Sequence, residues 1–221
     1  MLFRSLRATA QDRYTLLQTP ERRAAIRERD QVEIARSQVY ALDDYTVYLT
    51  FANFSRATRN FVLDNKDYMA QYQNLVLDLR YNGGGWLADM HRIACLFAPD
   101  GVILSIEEAQ WRIFTRTATS DGDAFFNFDN IIILQNRRTA SAAEGLIMAI
   151  QAHAQNVITI GETTFGKGTG QVAIPLTGGY AIQATVLNVM GPDRRSINNI
   201  GIPADIEADG DLIALALKML N

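Results

Sequence analysis

The sequence predicts an α/β domain, because strand patterns and amphipathic helix patterns alternate along most of its length. Residues 75–79 and 131–134 are bare apolar runs, which are typical of strands buried on both faces of a sheet. Each run is followed by a polar or glycine-containing turn and then by a helical pattern. The chain has 221 residues, of which 48% are hydrophobic and 20% charged. This composition suits one domain with a full core, or one domain with an appendage.

The first third of the chain is predicted to lead from a weakly patterned arm into a sheet. Residues 12–17 have the pattern of a strand end, and 21–30 that of a short helix with both charge signs. A solvated surface helix or arm is the favoured interpretation of this region. Within 39–54, Asp43-Asp44 marks a turn between two strands, the second of which alternates apolar and polar residues. Residues 55–72 are predicted to be helical.

The remaining elements continue this alternation. Strands are predicted over 75–79, 101–106, 109–117, 131–134 and 157–160. Helices are predicted over 86–97, after residue 141 and over 211–220. A hairpin is predicted over 172–189, with a turn at Gly178-Gly179. Phe125, Phe126 and Phe128 precede the strand at 131–134. They would line an apolar pocket if exposed, but we expect them in the core.

Composition argues against several classes of function. The formal net charge is −3, so no strong attraction to nucleic acid or to a membrane is expected. The single cysteine, Cys95, is expected to be a small buried residue and allows no internal disulfide. The two histidines, His91 and His153, form no cluster with cysteine, so no metal site is predicted. The number of histidines does not by itself exclude a Ser-His-Asp triad, although both histidines lie in helical patterns without a motif.

The sequence gives little information on compartment. No apolar run approaches the length of a membrane span, so no span is predicted. The first seven residues are too few and too charged for a signal peptide. The chain is therefore expected either to be cytosolic or to have had an export signal removed.

Ser141 lies where the strand at 131–134 gives way to a helix, in the segment T-A-S-A-A-E. With Glu144 it fits the Ser-x-x-Glu capping box, and a capping serine needs no catalytic role. A serine hydroxyl is a poor nucleophile unless a base accepts its proton. The free N–H groups at the start of this helix suit an oxyanion, and Ala142, directly after the serine, is the natural first donor.

Lys167 lies in a glycine-rich loop, 161–171, twenty-six residues after Ser141. Taken alone it is interpreted as a solvated loop lysine. A lysine acts as a base only when its amine is neutral, and burial lowers the pKa of an amine. The nearest acid in the sequence is Glu162. In an extended segment Gln171 would share a face with Lys167 and orient its amine without adding negative charge. Ser-Lys pairs are a known nucleophile–base arrangement.

A second glycine-rich loop, 81–85, joins the strand at 75–79 to the helix at 86–97. Such a loop presents backbone N–H groups to an anion, including a phosphate, but a lone glycine run is a weak signal and the P-loop ending is absent. Asp78 and Arg80 precede the loop. They are interpreted as a hydrogen-bonded structural pair, because Ser-Lys chemistry requires neither.

Three motifs, in this order, resemble those of the C-terminal processing peptidases, also called tail-specific proteases. The family patterns are L-D-L-R-x-N-x-G-G, T-A-S-A-S-E and G-E-x-T-F-G-K-G-x-x-Q, which the chain resembles at 77–85, 139–144 and 161–171. Ala143 stands where the family often has a second serine. The resemblance runs from about Val39 to Ile206, and a set of three motifs is far more specific than any one of them.

The resemblance implies a serine endopeptidase that cleaves protein or peptide substrates through an acyl-enzyme, with no cofactor or metal. It assigns the nucleophile to Ser141, the general base to Lys167, the lysine-orienting role to Gln171, and the oxyanion-hole amides to Gly85 and Ala142. The implied fold is ClpP/crotonase-like, with stacked ββα units and a mostly parallel sheet flanked by helices.

The resemblance also predicts a domain organisation. Residues 39–221 would form the peptidase catalytic core, and 1–38 an N-terminal arm or the remnant of a preceding region. Family members usually carry a PDZ domain before the Val39 region. Either it has been omitted here or this member works without one. The resemblance suggests a periplasmic or other extracytoplasmic location, and the oligomeric state is not predicted.

Two alternative functions are weighed against the peptidase. A non-catalytic binding module of the same fold, for apolar ligands or peptides, would be expected to have lost Ser141, Lys167 or Gln171, and all three are present. A crotonase-like enzyme acting on a thioester would also use two backbone amides as an oxyanion hole. It would need acids placed as general bases, and it gives no reason for the F-G-K-G loop.

Overall fold

The computed structural model describes residues 12–109, 113–122 and 124–220. Eleven strands and six helices are described in this part of the chain, and a 3₁₀ turn at Thr177–Gly179 joins the ninth and tenth strands. In chain order the elements are β1 (Leu16–Gln18), α1 (Pro20–Ile34), β2 (Gln38–Ala41), β3 (Thr46–Thr50), α2 (Arg56–Asp64), α3 (Lys66–Met69), β4 (Asn74–Asp78), α4 (Leu87–Ala94), β5 (Ile103–Ala109), β6 (Thr115–Thr119), β7 (Asn130–Gln135), α5 (Ala142–His153), β8 (Val157–Gly161), β9 (Thr169–Pro175), β10 (Ala181–Met190), β11 (Ile206–Glu207) and α6 (Leu212–Leu220).

A six-stranded sheet in the order β11-β8-β7-β4-β3-β2 forms the centre of the fold. All its neighbours pair in parallel except β2, which is antiparallel to β3. Side chains of β4 and β7 alternate between two apolar clusters, one shared with α4 and α5 and the other with α6. Burial on both faces explains why these two strands have no polar alternation in the sequence.

A second sheet has the order β1-β10-β5-β6, with β9 on the other edge of β10. All its pairings are antiparallel. The expected mostly parallel arrangement therefore describes the six-stranded sheet and is wrong for this one. Strands β9 and β10 are joined by a tight turn, and a connection of that length allows only antiparallel pairing.

Some element boundaries differ from the predicted ones. The helix expected over 55–72 is interrupted at Asn65, whose side-chain amide donates to the carbonyl of Phe61 at 2.8 Å. The strand expected over 109–117 divides between β5 and β6, with 110–112 outside the described residues. Phe126 and Phe128 are buried as expected, whereas Phe125 is exposed. Cys95 is half-buried rather than buried, with its sulfur 3.4 Å from the carboxylate of Asp121.

The N-terminal region packs more closely than a solvated arm would. Residues Leu16–Gln18 pair with Ala181–Gln183 of β10, and the helix that follows extends to Ile34. The strand end expected over 12–17 is present as β1, and only its pairing differs from a solvated arm, because the partner of this short strand lies far away in the sequence. In the described part of the chain, no helix combines the length and apolar character needed to cross a membrane.

Candidate active site

Ser141 stands at the turn between β7 and α5, in a backbone conformation that is uncommon for a residue with a side chain. Its φ is 60° and its ψ −117°. Such conformations cost about 1–3 kcal/mol and persist only where surrounding contacts hold them. Two such contacts hold the turn: the Thr139 hydroxyl donates to the carbonyl of Leu79 at 2.9 Å, and the Ala140 N–H donates to that of Asn82 at 2.9 Å.

The glycine loop after β4 lies directly against this serine. Gly84 has a φ of +92°, and a Cβ placed on it would lie 2.8 Å from the Cβ of Ser141. The Gly84 N–H donates to the side chain of Asn82, which is fully buried and donates to the carbonyl of Phe51. Only glycine fits such a close approach, so the loop and the serine turn form one packed unit.

Gly85, the next residue, packs on the strand side of the loop. It forms an isolated bridge with Phe54, and a Cβ here would lie 2.2 Å from the Phe54 carbonyl oxygen. The Trp86 N–H donates to that same carbonyl at 2.9 Å. These contacts fix the direction of the loop where α4 begins.

The predicted structural pair of Asp78 and Arg80 is confirmed. The Arg80 guanidinium donates to both carboxylate oxygens of Asp78, at 2.6–3.1 Å, and the Arg80 N–H donates to the same group at 3.0 Å. The hydroxyl of Tyr48 also donates to Asp78, at 2.8 Å. Burial and the Asp78 charge raise the pKa of Tyr48, and the hydrogen bond to Asp78 raises the pKa of Arg80. The pair anchors the glycine loop to β3 and β4.

Glu144 connects the serine turn to the lysine loop. Its side chain is completely buried, and its carboxylate accepts four hydrogen bonds from the two segments. One oxygen accepts the Ser141 N–H at 2.7 Å and the Lys167 N–H at 2.9 Å, and the other accepts the Gly166 N–H at 2.7 Å and the Thr164 hydroxyl at 2.6 Å. The N–H groups of the predicted nucleophile and the predicted base thus share one carboxylate oxygen.

Sequence reasoning treated Glu144 only as a capping partner of Ser141. The predicted contact between the Glu144 carboxylate and the Ser141 N–H is present. The three bonds to the lysine loop were not predicted, because they form only when the chain folds. One signal was available in the sequence, since Glu144 is a charged residue within the otherwise apolar run 142–150. A buried charge in such a position requires partners, and a search for donors would have led to the loop.

The lysine loop is held from several sides. The Phe165 N–H donates to the carbonyl of Thr139 at 2.9 Å, next to the serine turn. The Asn199 N–H donates to the carbonyl of Gly166 at 2.8 Å, and a Cβ on Gly168 would lie 2.9 Å from the backbone nitrogen of Asn198. Close backbone packing thus explains why glycines flank the lysine.

The side chain of Lys167 is half-buried, and its amine lies 4.9 Å from the ring centroid of Tyr14. Burial lowers the pKa of the Lys167 amine below its ordinary value, while the charges of Glu144 and Asp12 act in the opposite direction. The sequence showed no acid closer than Glu162. The structure corrects that picture of the surroundings, because folding brings Glu144 and Asp12 to the lysine.

Gln171 lies on β9, opposite Thr185 of β10. Its side-chain nitrogen donates to the Thr169 hydroxyl at 3.1 Å and to the Thr185 hydroxyl at 3.3 Å. These contacts hold the amide group on the β9–β10 ladder. The lysine-orienting role of Gln171 stays a prediction.

Both histidines make their hydrogen-bond contacts with residues of β5. The imidazole of His91 is 2.8 Å from the Ser105 hydroxyl, and that of His153 is 2.7 Å from the carbonyl oxygen of Ile103. Burial lowers the pKa of His91. These contacts give no support to a Ser-His-Asp triad. Among the described residues, no group of three His, Cys, Asp or Glu side chains is arranged to hold a metal ion.

Comparison with known proteins identifies a common family. The chain is 32% identical over 144 residues to a chloroplastic C-terminal processing peptidase of Tetradesmus obliquus, covering 65% of this chain and 30% of that protein. It spans about a third of the length of the curated relatives it matches.

Two solved structures resemble the fold. A photosystem II D1 C-terminal processing protease is 29% identical, with a TM-score of 0.62 over 78% of this chain and 45% of that one. A lipoprotein from Streptococcus agalactiae is 19% identical, with a TM-score of 0.77 over 94% of this chain and 76% of that one, and shows the fold alone. The sequence profile of peptidase family S41 matches residues 45–208, which include both glycine loops and the serine turn. The chain belongs to peptidase family S41.

Proposed function

We propose that this chain carries the catalytic core of a C-terminal processing serine endopeptidase with a Ser-Lys mechanism. Ser141 attacks the peptide carbonyl while Lys167 accepts its proton and passes it to the leaving amine. Gln171 orients the lysine, and water then hydrolyses the acyl-enzyme. In this proposal residues 39–221 form the catalytic core. This core has the stacked ββα units of the ClpP/crotonase class.

The observation that carries the proposal is the shared carboxylate of Glu144. One of its oxygens accepts the N–H groups of both Ser141 and Lys167. A nucleophile and its base must lie within hydrogen-bonding reach of each other. Two backbone nitrogens bonded to one oxygen atom hold residues 141 and 167 close to each other, which supports this pairing of nucleophile and base. A serine that only caps a helix gives no reason for this connection to a lysine loop.

The loop geometry supports an oxyanion hole at the same place. Ala142 follows the strained Ser141 at the first turn of α5, where backbone N–H groups have no partner within the helix. The family resemblance assigns the second donor to the N–H of Gly85, and the N–H of the preceding Gly84 is already bonded to Asn82. The two donors approach the carbonyl from the helix and from the loop.

The electrostatics of Lys167 predict the pH dependence. A lysine base works in its neutral form, so kcat/KM should rise with pH through the pKa of the amine. Burial lowers this pKa. The midpoint should therefore lie below the ordinary lysine value of about 10.4.

The test is degradation of casein, an unfolded protein substrate, by the wild-type chain and by Ser141→Ala and Lys167→Ala, from pH 6 to pH 10. We expect cleavage that increases with pH and is lost in both variants. Lys218→Ala is a matched control, because this lysine is exposed on α6. Circular dichroism and thermal unfolding verify that each variant is folded.

Retained cleavage by folded Ser141→Ala would refute the nucleophile, and retained cleavage by Lys167→Ala would refute the base. If the folded wild-type chain cleaves neither casein nor a panel of unfolded peptides, the endopeptidase proposal fails for this chain. The binding-module alternative would then be tested with apolar ligands and peptides.

A further inference from the structure

The N-terminal segment 12–18, which the sequence indicated as an arm, lies at the catalytic lysine. Three of its residues form β1 on the antiparallel sheet, and the residues before β1 reach Lys167 and Phe165. The ring of Tyr14 faces the Lys167 amine, with 4.9 Å between the nitrogen and the ring centroid. The segment therefore covers the side chain to which the proposed mechanism assigns proton transfer.

Contacts on both sides of Tyr14 fix its position. On one side, the carboxylate of Asp12 accepts the Tyr14 N–H at 2.9 Å and also the hydroxyl of Thr15. The Thr15 oxygen in turn accepts the backbone N–H of Thr185 on β10 at 3.1 Å. On the other side, Gln18 donates to the side chain of Gln183 at 2.6 Å. A tyrosine held in this way can position a neighbouring group reproducibly.

The hydroxyl of Tyr14 is buried, yet it has no hydrogen-bond partner among the described residues. An unpartnered buried hydroxyl is unfavourable, and such groups in native proteins generally call for an explanation. Two polar groups lie over the same ring, the guanidinium of Arg13 and the amine of Lys167, and of these the amine belongs to the proposed catalytic pair. Its side chain is flexible, so rotation about its outer bonds can bring the amine towards the hydroxyl.

The lysine needs such a partner for a geometric reason. A neutral amine has two N–H bonds and one lone pair, and it can act as a base only if the lone pair faces Ser141. A single acceptor leaves the amine free to turn about that hydrogen bond, whereas two acceptors fix the direction of the lone pair. Gln171 supplies at most one of them, because its amide nitrogen donates to Thr169 and Thr185.

We propose that Tyr14 is a second lysine-orienting residue, whose hydroxyl accepts one N–H of the Lys167 amine while Gln171 accepts the other. This inference rests on the proposed Ser-Lys function. It makes Tyr14 a positioning residue, since it acts through Lys167 and not on the substrate. It also makes the segment 12–18 a part of the active site.

Several charged groups act on Lys167 and on this ring and must be considered in any pH measurement. The carboxylate of Glu144 on α5 and that of Asp12 in the N-terminal segment both favour the charged amine. The guanidinium of Arg13 lies 5.0 Å from the centroid of the Tyr14 ring and 5.2 Å from that of Phe165. Replacing Tyr14 by an uncharged residue leaves all these charges in place.

The experiment compares Tyr14→Phe and Tyr14→Ala with the wild-type chain, and uses Tyr45→Phe as a matched control. Tyr45 has an exposed fraction of 58% and lies between β2 and β3. The pH profile of kcat/KM is measured on a fluorogenic peptide derived from a casein cleavage site. In parallel, mass spectrometry follows the pH dependence of Lys167 acetylation by acetic anhydride, which needs no catalytic turnover.

We expect Tyr14→Phe to lower kcat/KM about tenfold, the effect of one hydrogen bond, and to move both pH midpoints down, because an acceptor of the ammonium is lost. We expect Tyr14→Ala to lower kcat/KM about a hundredfold through misplacement of the base. In this variant both midpoints should move up, because water reaches the amine. A role in folding alone would not give shifts of opposite sign in the two variants.

A Tyr14→Phe variant that matches Tyr45→Phe in rate and in the midpoint of Lys167 acetylation would overturn the inference. A lower rate with an unchanged acetylation midpoint would also overturn it. If Tyr14→Ala does not fold, Tyr14→Phe still decides, since it keeps the ring. If Ser141→Ala retains cleavage, the proposed function fails by itself, and the acetylation midpoints still report whether Tyr14 acts on Lys167.

Discussion

Ser141 and Lys167 belong to two regions of the molecule that are built in different ways. The serine follows β7 in the interior of the parallel sheet and precedes α5, whose residues 142–150 are all buried. The lysine lies in an irregular loop between β8 and β9, and β9 leads to an antiparallel hairpin with exposed apolar side chains. The proposed nucleophile is thus supported by elements of the central sheet and by α5, whereas the proposed base lies in a loop outside regular secondary structure.

This difference indicates where the site is vulnerable. The serine turn is held by β4, its glycine loop and α5, which also form the core, so changes there should reduce stability and activity together. The lysine is held by the buried carboxylate of Glu144, by the backbone at 197–201 and by the N-terminal segment. Changes on this side should affect the rate more than the fold. Glu144 is the exception, because it bonds to both regions.

The largest effect outside Ser141 and Lys167 is expected for Glu144→Gln. The amide can still accept from one pair of donors, but its NH2 group would face the other pair. Leaving buried donors unpaired should lower the free energy of unfolding by about 3 kcal/mol. With the two regions no longer tied together, kcat/KM should fall by at least about a hundredfold. Urea unfolding and peptide cleavage measure the two quantities.

Glu207→Gln on β11 is the matched control for this change, since Glu207 is exposed. It should leave stability and rate near those of the wild type. A Glu144→Gln variant that behaved like this control would show that the two regions keep their geometry without the shared carboxylate. The shared carboxylate of Glu144 would then no longer support the proposed function.

A smaller effect on the serine side alone is expected for Gly84→Ala. The added methyl group would meet the Ala140 carbonyl at 2.7 Å and the Cβ of Ser141 at 2.8 Å, on a backbone with φ of +92°. We expect a loss of about 2 kcal/mol in unfolding free energy from strain and overpacking. The displaced serine should lower kcat in the fraction that is folded, by about tenfold or more.

Gly83→Ala provides the control for this prediction, because no atom of the described residues, its two chain neighbours aside, lies within 4 Å of the added methyl group. Its effect should stay within about 0.5 kcal/mol, as for most exposed substitutions. If Gly84→Ala reduces stability but leaves kcat of the folded enzyme unchanged, the contact serves packing only. The serine would then be held by α5 and the Thr139 turn alone.

The difference between the two regions also explains which features could be predicted from sequence. The apolar run 131–134 and the pattern after it predict a buried strand and a helix, and both elements occur close to the expected positions. The pair of Asp78 and Arg80, two residues apart, was equally local. Such features depend on neighbours in sequence, and periodicity reports them directly.

The surroundings of Lys167 could not be predicted in this way. Tyr14 and Asp12 reach the lysine only because β1 pairs with β10, and a three-residue strand carries too little pattern to identify a partner more than 160 residues away. Glu144 was visible in the sequence, but its bonds to Gly166 and Lys167 depend on how the loop folds back. Contacts between distant segments are set by tertiary packing, which local propensity does not encode.

The smallest effect is expected for Arg137→Ala, which removes an exposed link between the same two regions. Arg137 lies in the turn before Ser141 and pairs at 2.8 Å with Glu162 at the start of the lysine loop, with side-chain exposures of 82% and 44%. Exposed ion pairs contribute about 0–1 kcal/mol and are screened by salt. We expect a change of less than about 0.5 kcal/mol in unfolding free energy and a rate within about twofold of the wild type.

This variant sharpens the comparison because Arg137–Glu162 and Glu144 connect the same segments, one in water and one in the core. Measurement at low and at high salt separates them, since only the exposed pair responds to screening. If Arg137→Ala were as damaging as Glu144→Gln at low salt and harmless at high salt, charge attraction at the surface would hold the lysine loop. If it has no effect at either salt concentration, the alignment of the proposed base and the proposed nucleophile depends on the buried carboxylate, where the four donors have no water to replace it.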